Sequence, residues 1–435
     1  MKPILTVIFS LVFASGFSQN VNKIFTSDID NFWIAYDSIQ KTNDYSKKLD
    51  IINKLYITKG TTGLKAFMKL KNYNDTVYIN CIDEYPKFWT SIRPNTLSVK
   101  NKTDELNIAI STLKKLYPEL KDAEIYFTIG GLRAGGMPAD NMVLIGTEIA
   151  TGNPTTDVSE FKDNWYKSIF SNQSLSLDNL VSVNIHEYVH TQQKDNNSSL
   201  LLHQAITEGS CDFITELVLG TPLQRKYISY GNLHFDKLKK KFKEEMFLSA
   251  SKNWLYNGLQ KGDSADLGYY MGYKICKSYY NNAKNKSQAI KEIIELDYSD
   301  EKAIEKFLTK SKFFKEKINK KNLIKAFNKR LPYIVKMAPF KNDAENVSSK
   351  LKEIRITFSK EMEPGNYSID FSKKGSDFYP IKNVKDFENN DKTIVLSVDL
   401  KPHKEYEFII SNRRFKSKDG YFLKEGEYLV KFRTK

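Results

Sequence analysis

Apolar residues recur at helical spacing through roughly three quarters of the chain and switch to an alternation of period two past residue 350. The helical part predicts helices over 28–40, 45–57, 76–92 and 103–117. Two apolar runs, 124–129 and 142–149, read as strands of a hairpin joined through Gly130-Gly131-Leu132-Arg133-Ala134-Gly135-Gly136 and Pro138. Ser176 is a candidate N-cap for a helix made apolar on nearly all sides by Leu177, Leu180, Val181, Val183, Ile185 and Val189. A further helix is expected over 199–219, stopped by Gly220 and Pro222. Helices then return as far as about Leu331, and the texture changes near Met337-Ala338-Pro339. Alternating runs at 354–358, 393–398, 406–410 and 428–432, with turns at Pro364-Gly365 and Asp419-Gly420, predict a β-sandwich. The expected fold class is α+β: a mostly helical domain with one small sheet over 19–336, then a sandwich over 340–435.

The candidate chemistry is concentrated in two of these helices. His186-Glu187-Tyr188-Val189-His190 places two of the chain's five histidines at i, i+4, which puts both imidazoles on one face. Residues one turn apart can meet one zinc ion at about 2.0–2.1 Å without bending the backbone. The acid between them can take a proton from water without occupying a coordination position. Zinc needs a third protein ligand if one position is kept for water, and Glu208 is the candidate. Asp212, one turn further on, is placed to hold the second ring nitrogen of a ligand histidine. Glu216 and His203 compete for the third position, while Cys211 reads as a small buried apolar residue. Gly209 and Ser210 are small enough for two helices to approach closely around one ion.

The order His186-Glu187-x-x-His190, seventeen further residues, then Glu208-x-x-x-Asp212 resembles the gluzincin clan of zinc metallopeptidases, to which thermolysin and the large zinc aminopeptidases belong. More narrowly, it resembles bacterial predicted zinc-dependent proteases grouped under a domain of unknown function. The resemblance spans about residues 20–335, with its specific motifs confined to 186–273. It implies a zincin-like domain with one zinc per chain, held by His186, His190 and Glu208. Glu187 would be general base and proton shuttle, and Asp212 the support of a ligand histidine. It also implies a group that stabilises the oxyanion. Gly268-Tyr269-Tyr270-Met271-Gly272-Tyr273 is the stretch suited to this, with Tyr269 the first candidate and Tyr273 the second. The chain has 25 tyrosines, and most tyrosines simply pack, so residue type alone says little. An extended peptide substrate is expected along the edge of the 124–149 hairpin. Ile356-Thr357-Phe358-Ser359-Lys360-Glu361-Met362, with Leu400-Lys401-Pro402-His403-Lys404-Glu405-Tyr406, resembles bacterial Ig-like domains of cell-surface proteins. Such modules space or dock; His403 reads as a turn residue.

Met1-Lys2 and the apolar run to Phe17 resemble a secretory signal over 1–18, with a cut before Gln19. No cysteine stands at the cut, which argues against a lipoprotein anchor, and the apolar run is short for a membrane span. The expectation is a secreted, periplasmic or cell-surface protein without a membrane span. Cys81, Cys211 and Cys276 form no metal pattern and allow at most one bridge. Lys plus Arg outnumber Asp plus Glu by 67 to 52. The basic runs 237–243 and 310–330 alternate with apolar residues at helical spacing, so they read as solvated helix faces and not as a nucleic-acid surface. Weak contact with an anionic envelope surface fits that charge better. Two function classes follow: a secreted zinc metallopeptidase acting on peptides or proteins, or a non-catalytic adhesion protein on the same scaffold. Glu187 favours the first, because a purely structural metal site has no use for a base there.

Overall fold

The computed structural model describes residues 23–171, 176–249, 253–257 and 262–435; the expected signal segment lies outside the described residues. The chain forms two compact units, Met1–Phe235 with Trp254–Lys315, and Asp236–Asn253 with Glu316–Lys435.

In the first unit, six helices precede most of the sheet: α1 (Ser27–Ile39), α2 (Tyr45–Ile52), α3 (Thr62–Leu70), α4 (Asp75–Glu84), α5 (Pro86–Ser98) and α6 (Thr103–Leu116). The helix expected over 76–92 is two helices. Pro86 at the start of α5 has no N–H to continue α4 and drives Tyr85 out of the helical region, to φ −128° and ψ 51°. The sheet is built from β1 (Ile24–Phe25), β2 (Glu124–Thr128), β3 (Met137–Ala139) and β4 (Met142–Gly146), in the order β1-β2-β4-β3. Its connectivity corrects the expected hairpin. β2 and β4 run parallel, and the antiparallel partner of β4 is the three-residue β3, which occupies the edge. Pro138 had hidden β3, since proline within a run argues against a strand unless that strand is an edge. The residues expected to prolong β4 instead form the short helix α7 (Thr147–Ala150). Glu148 of α7 is fully buried and accepts the backbone N–H groups of Gly130 and Leu132, which fixes the start of the glycine loop.

α8 (Asn164–Ser171) leads toward α9 (Leu180–His190), which packs on β3 and β4. Ser176 does not cap α9; it precedes a single 3-10 turn, Leu177–Asn179. α10 (Leu201–Leu219) ends at Gly220, whose φ of +68° is the left-handed conformation that stops a helix. α11 (Lys226–Leu233) follows, and α12 (Phe235–Glu245) then carries the chain into the second unit. Back in the first unit, α13 (Leu267–Asn282) crosses α10 at backbone contact. A Cβ on Gly272 would lie 1.7 Å from the carbonyl oxygen of Ala205, and one on Gly209 2.0 Å from the amide nitrogen of Tyr273. α14 (Lys286–Ile294) and α15 (Glu301–Ser311) complete the unit.

The second unit holds α12, α16 (Lys320–Asn328) and two four-stranded sheets. One sheet is ordered β5 (Ile334–Ala338), β7 (Glu353–Phe358), β10 (Thr393–Val398), β9 (Ile381–Glu388). The other is ordered β6 (Ala344–Val347), β12 (Glu427–Thr434), β11 (Glu405–Ser411), β8 (Ile369–Phe371). The four strands expected from sequence are the four central ones, and β5, β6, β8 and β9 are all edges. Central strands bury a full face, as the strict in-out alternation of β7 shows, whereas β9 is mostly exposed and its alternation is lost. Ile354, Ile356, Ile394, Leu396, Phe408, Ile410, Val430 and Phe432 form the core between the sheets. α12 buries Leu238 and Phe242 and leaves most of its lysines outward, and its buried Glu245 accepts the Tyr421 hydroxyl at 2.6 Å. The basic run 237–243 is thus one face of an amphipathic helix.

Candidate metal centre

Three helices build a cleft of about 470 Å³. α9 contributes His186, Glu187 and His190; α10 contributes Thr207 and Glu208; α13 contributes Tyr269; and Gly136, Met137 and Pro138 close one side at the sheet edge. Glu187 sits directly against that edge, its carboxylate 3.5 Å from where a Cβ on Gly136 would be.

The ligand candidates converge. His186 Nε2 and His190 Nε2 lie 3.2 Å apart, and Glu208 Oε2 lies 3.4 Å from the first and 3.2 Å from the second. A tetrahedral zinc site with ligands at about 2.05 Å has ligand-to-ligand edges of about 3.3 Å. The far ring nitrogens fix the tautomers. His186 Nδ1 is 2.9 Å from Asp212 Oδ1, an oxygen that can only accept, so Nδ1 carries the proton. His190 Nδ1 is 2.7 Å from Gln193 Oε1. That amide is oriented by its NH₂ group, which donates to the Thr207 carbonyl at 2.9 Å and to Ser210 Oγ at 2.7 Å. Both Nε2 atoms therefore turn lone pairs on a carboxylate oxygen. Three such atoms this close need a proton or a metal cation between them, and their spacing and chemistry fit zinc. The electrostatics agree. Burial lowers the His186 pKa, but Asp212 and Glu208 outweigh it and hold the imidazole up to about 10. Burial raises the Glu208 carboxyl, but the two histidines hold it well below the usual range. The site attracts positive charge, whether protons or a metal ion.

Cys211 Sγ also lies within 4.8 Å of ring nitrogens of both histidines. Its contact is looser than that of Glu208. Burial, then Glu208 and Asp212, push its thiol pKa far up. Glu216 binds Lys277 and accepts the Tyr273 hydroxyl at 2.7 Å; neither it nor His203 lines the cleft. Tyr273 is likewise turned to Glu216 and Lys277, away from the histidines. Tyr269 does line the cleft, with its ring stacked on His186 at 6.2 Å between centroids.

Three residues around the centre had not been expected. Gln193 holds His190 as described. The Tyr227 hydroxyl donates to Asp212 Oδ2 at 2.7 Å, and the Tyr256 hydroxyl to Glu208 Oε1 at 2.6 Å. Glu208 and Asp212 thus each have one oxygen at a histidine and the other at a tyrosine. Gln193, three residues past His190, could have been found from helical spacing. The tyrosines come from distant segments and carry no local signal.

Residues 155–301 match a family described as a predicted Zn-dependent protease, and every cleft residue from His186 to Tyr269 falls inside that stretch. Residues 328–434 match the bacterial Ig-like domain. No curated protein matches. Among solved structures, CopC from Methylosinus trichosporium OB3b is 18% identical over 24% of this chain and 92% of its own, at a TM-score of 0.20. The S-layer protein rSbsC(31-844) is 14% identical over 62% of this chain and 36% of its own, at 0.17. Domains 1–6 of the surface layer protein SbsC are 15% identical over 64% and 37%, at 0.18. The chain spans little more than a third of those S-layer structures, and likenesses this slight bear on neither fold nor function. Among the described residues no helix is long and apolar enough to cross a membrane.

Proposed function

We propose that the chain is an exported zinc metallopeptidase that hydrolyses peptide bonds, with one zinc held by His186, His190 and Glu208. The observation that carries this reading is the triangle formed by His186 Nε2, His190 Nε2 and Glu208 Oε2, 3.2–3.4 Å on a side, with Glu187 in the same cleft. Zinc bound there would polarise the substrate carbonyl and bring the pKa of water toward about 7. Glu187 accepts the proton of the attacking water and returns it to the leaving amine. Asp212 and Gln193 keep both imidazoles in the tautomer that offers Nε2. Tyr269 is assigned to the oxyanion because it is the tyrosine on α13 that lines the cleft. The exposed edge at Met137–Ala139, beside Glu187, suits an extended polypeptide.

The Ig-like unit is assigned a docking or spacing role at the cell envelope, helped by the basic balance of the chain, with no part in catalysis and no nucleic-acid partner. The signal-like segment 1–18 supports export to the periplasm, the cell surface or the medium. Elemental analysis of the purified mature protein, with cleavage of a peptide library on the same preparation, tests the proposal. About one zinc per chain and metal-dependent cleavage are expected; no uptake of zinc on addition of the metal contradicts it.

A further inference from the structure

Tyr256 is out of place for an ordinary surface residue. It is 64% exposed, yet its backbone has φ +56°, a left-handed conformation that costs a bulky L-residue about 1–2 kcal/mol. A surface tyrosine free to relax would leave that conformation; this one is held there. Trp254 and Leu255 before it are buried at 2% and 0% exposure. The Gly268 N–H donates to the Trp254 carbonyl at 2.7 Å, and a Cβ on Gly268 would lie 2.5 Å from Leu255 Cγ. Just past Tyr256, the N–H of Asn257 donates to Asp266 Oδ1 at 3.1 Å, and the N–H of Asp266 donates to Asn257 Oδ1 at 2.9 Å. Asp266 stands immediately before α13. The same framework therefore sets Tyr256 and Tyr269, whose rings meet edge-on at 6.2 Å.

The strain is directed at one atom. The Tyr256 hydroxyl donates to Glu208 Oε1 at 2.6 Å, the oxygen that does not face the histidines. A hydrogen bond to a charged acceptor contributes about 1.5–3 kcal/mol, enough to offset the backbone cost. We infer that Tyr256 is a positioning residue of the metal centre: by occupying Oε1 it leaves Glu208 only Oε2 to offer a metal beside the two histidines. Without it, a carboxylate can swing and bind through both oxygens. Tyr227 holds Asp212 Oδ2 in the same way, but Asp212 meets the far ring nitrogen of His186, outside the triangle of ligand atoms. The inference rests on the zinc reading of the site.

The test uses the full mature chain with Tyr256→Phe, which removes the hydroxyl and nothing else, and Tyr256→Gly, which also removes the strain. Zinc affinity is measured by competition with a chelator, and coordination by the visible spectrum of the Co²⁺-substituted protein. Both variants should bind zinc about 10–100-fold more weakly than wild type, and both should show an altered Co²⁺ spectrum. The metal-free Tyr256→Gly protein should lose less stability than Tyr256→Phe, since it sheds the left-handed strain together with the hydrogen bond that offsets it. Wild-type affinity and an unchanged Co²⁺ spectrum in Tyr256→Phe overturn the inference alone. A wild-type protein that takes up neither metal overturns the zinc reading and this inference with it.

Discussion

Gly272→Ala offers a stringent test of how α10 and α13 hold the site. The added Cβ would meet the Ala205 carbonyl oxygen at 1.7 Å and its carbon at 2.4 Å, whereas ordinary contact starts at 3.4 Å. The shortfall is 3.4 − 1.7 = 1.7 Å, and it is against backbone, so no side chain can rotate to relieve it. The helices must move apart by more than about 1 Å, and overpacking of this kind costs about 1–3 kcal/mol, with a backbone clash at or above the upper end. At about 2–4 °C per kcal/mol for a unit of this size or slightly smaller, the melting temperature of the metal-free protein should fall by about 6–12 °C. The same movement pulls Glu208, beside Gly209 on α10, out of a triangle only 3.2–3.4 Å on a side, so zinc affinity should drop at least about tenfold. Gly426→Ala is the control, because nothing lies within 4 Å of its would-be Cβ. Differential scanning calorimetry of the metal-free variants and chelator competition supply both numbers. A Gly272→Ala protein that melts within about 2 °C of wild type and binds zinc normally would refute the close crossing as the basis of the site.

Other consequences follow from the same geometry. Glu208→Ala should abolish tight zinc binding, whereas Asp212→Asn should weaken it about 10–100-fold, with His186 less firmly held; equal losses in the two variants would contradict the assignment of one as ligand and the other as its support. Zinc must displace the proton that Asp212 and Glu208 hold on His186 up to about pH 10, so affinity should rise with pH by about tenfold per unit below that value; calorimetry in buffers of different ionisation enthalpy should show proton release on binding. Burial raises the Glu148 pKa to about 7, against the lowering effect of the Gly130 and Leu132 N–H groups. Between its ordinary value near 4.5 and 7 the folded state then holds a proton that the unfolded state has lost, so this group's contribution to stability falls as pH rises through that window; denaturant midpoints of wild type and Glu148→Gln should diverge there. A chain cut after Lys336 should keep the zinc site but strip Glu245 and Phe327 of their Tyr421 partner, giving lower solubility and hydrophobic-dye binding; loss of zinc in that fragment would refute the independence of the first unit.

What the sequence disclosed, and what it hid, follows from how local each signal is. The spacing of His186 and His190, and of Glu208 and Asp212, is a property of single helices, so both pairs and their shared orientation are legible in the chain itself. The need for Gly209 and Gly272 is legible too, as glycine patterns in helices, though not that they cross each other. The tyrosines that grip the two carboxylates are not. Tyr227 and Tyr256 stand 15 and 48 residues beyond the groups they bind, among 25 tyrosines, and a left-handed Tyr256 has no signature in the chain. In the second unit, burial decided legibility. β7, β10, β11 and β12 are central and patterned, while the edge strands carry polar residues such as Lys382, Lys385 and Asp386 that keep an exposed edge from pairing with other chains. The parallel pairing of β2 and β4 was hidden for the converse reason: strands buried on both sides, as these are, show continuous apolar runs that do not distinguish a hairpin from a crossover.

The peptide-hydrolysis rate of Glu187→Gln at measured zinc occupancy decides whether Glu187 is the base of a zinc-dependent peptidase. Glutamine keeps the shape of the side chain beside Gly136 but cannot take a proton. Zinc content should equal that of wild type and the rate should fall by at least about 10²-fold. An unchanged rate at full occupancy would contradict the mechanism, and loss of zinc would make Glu187 a ligand instead of a base.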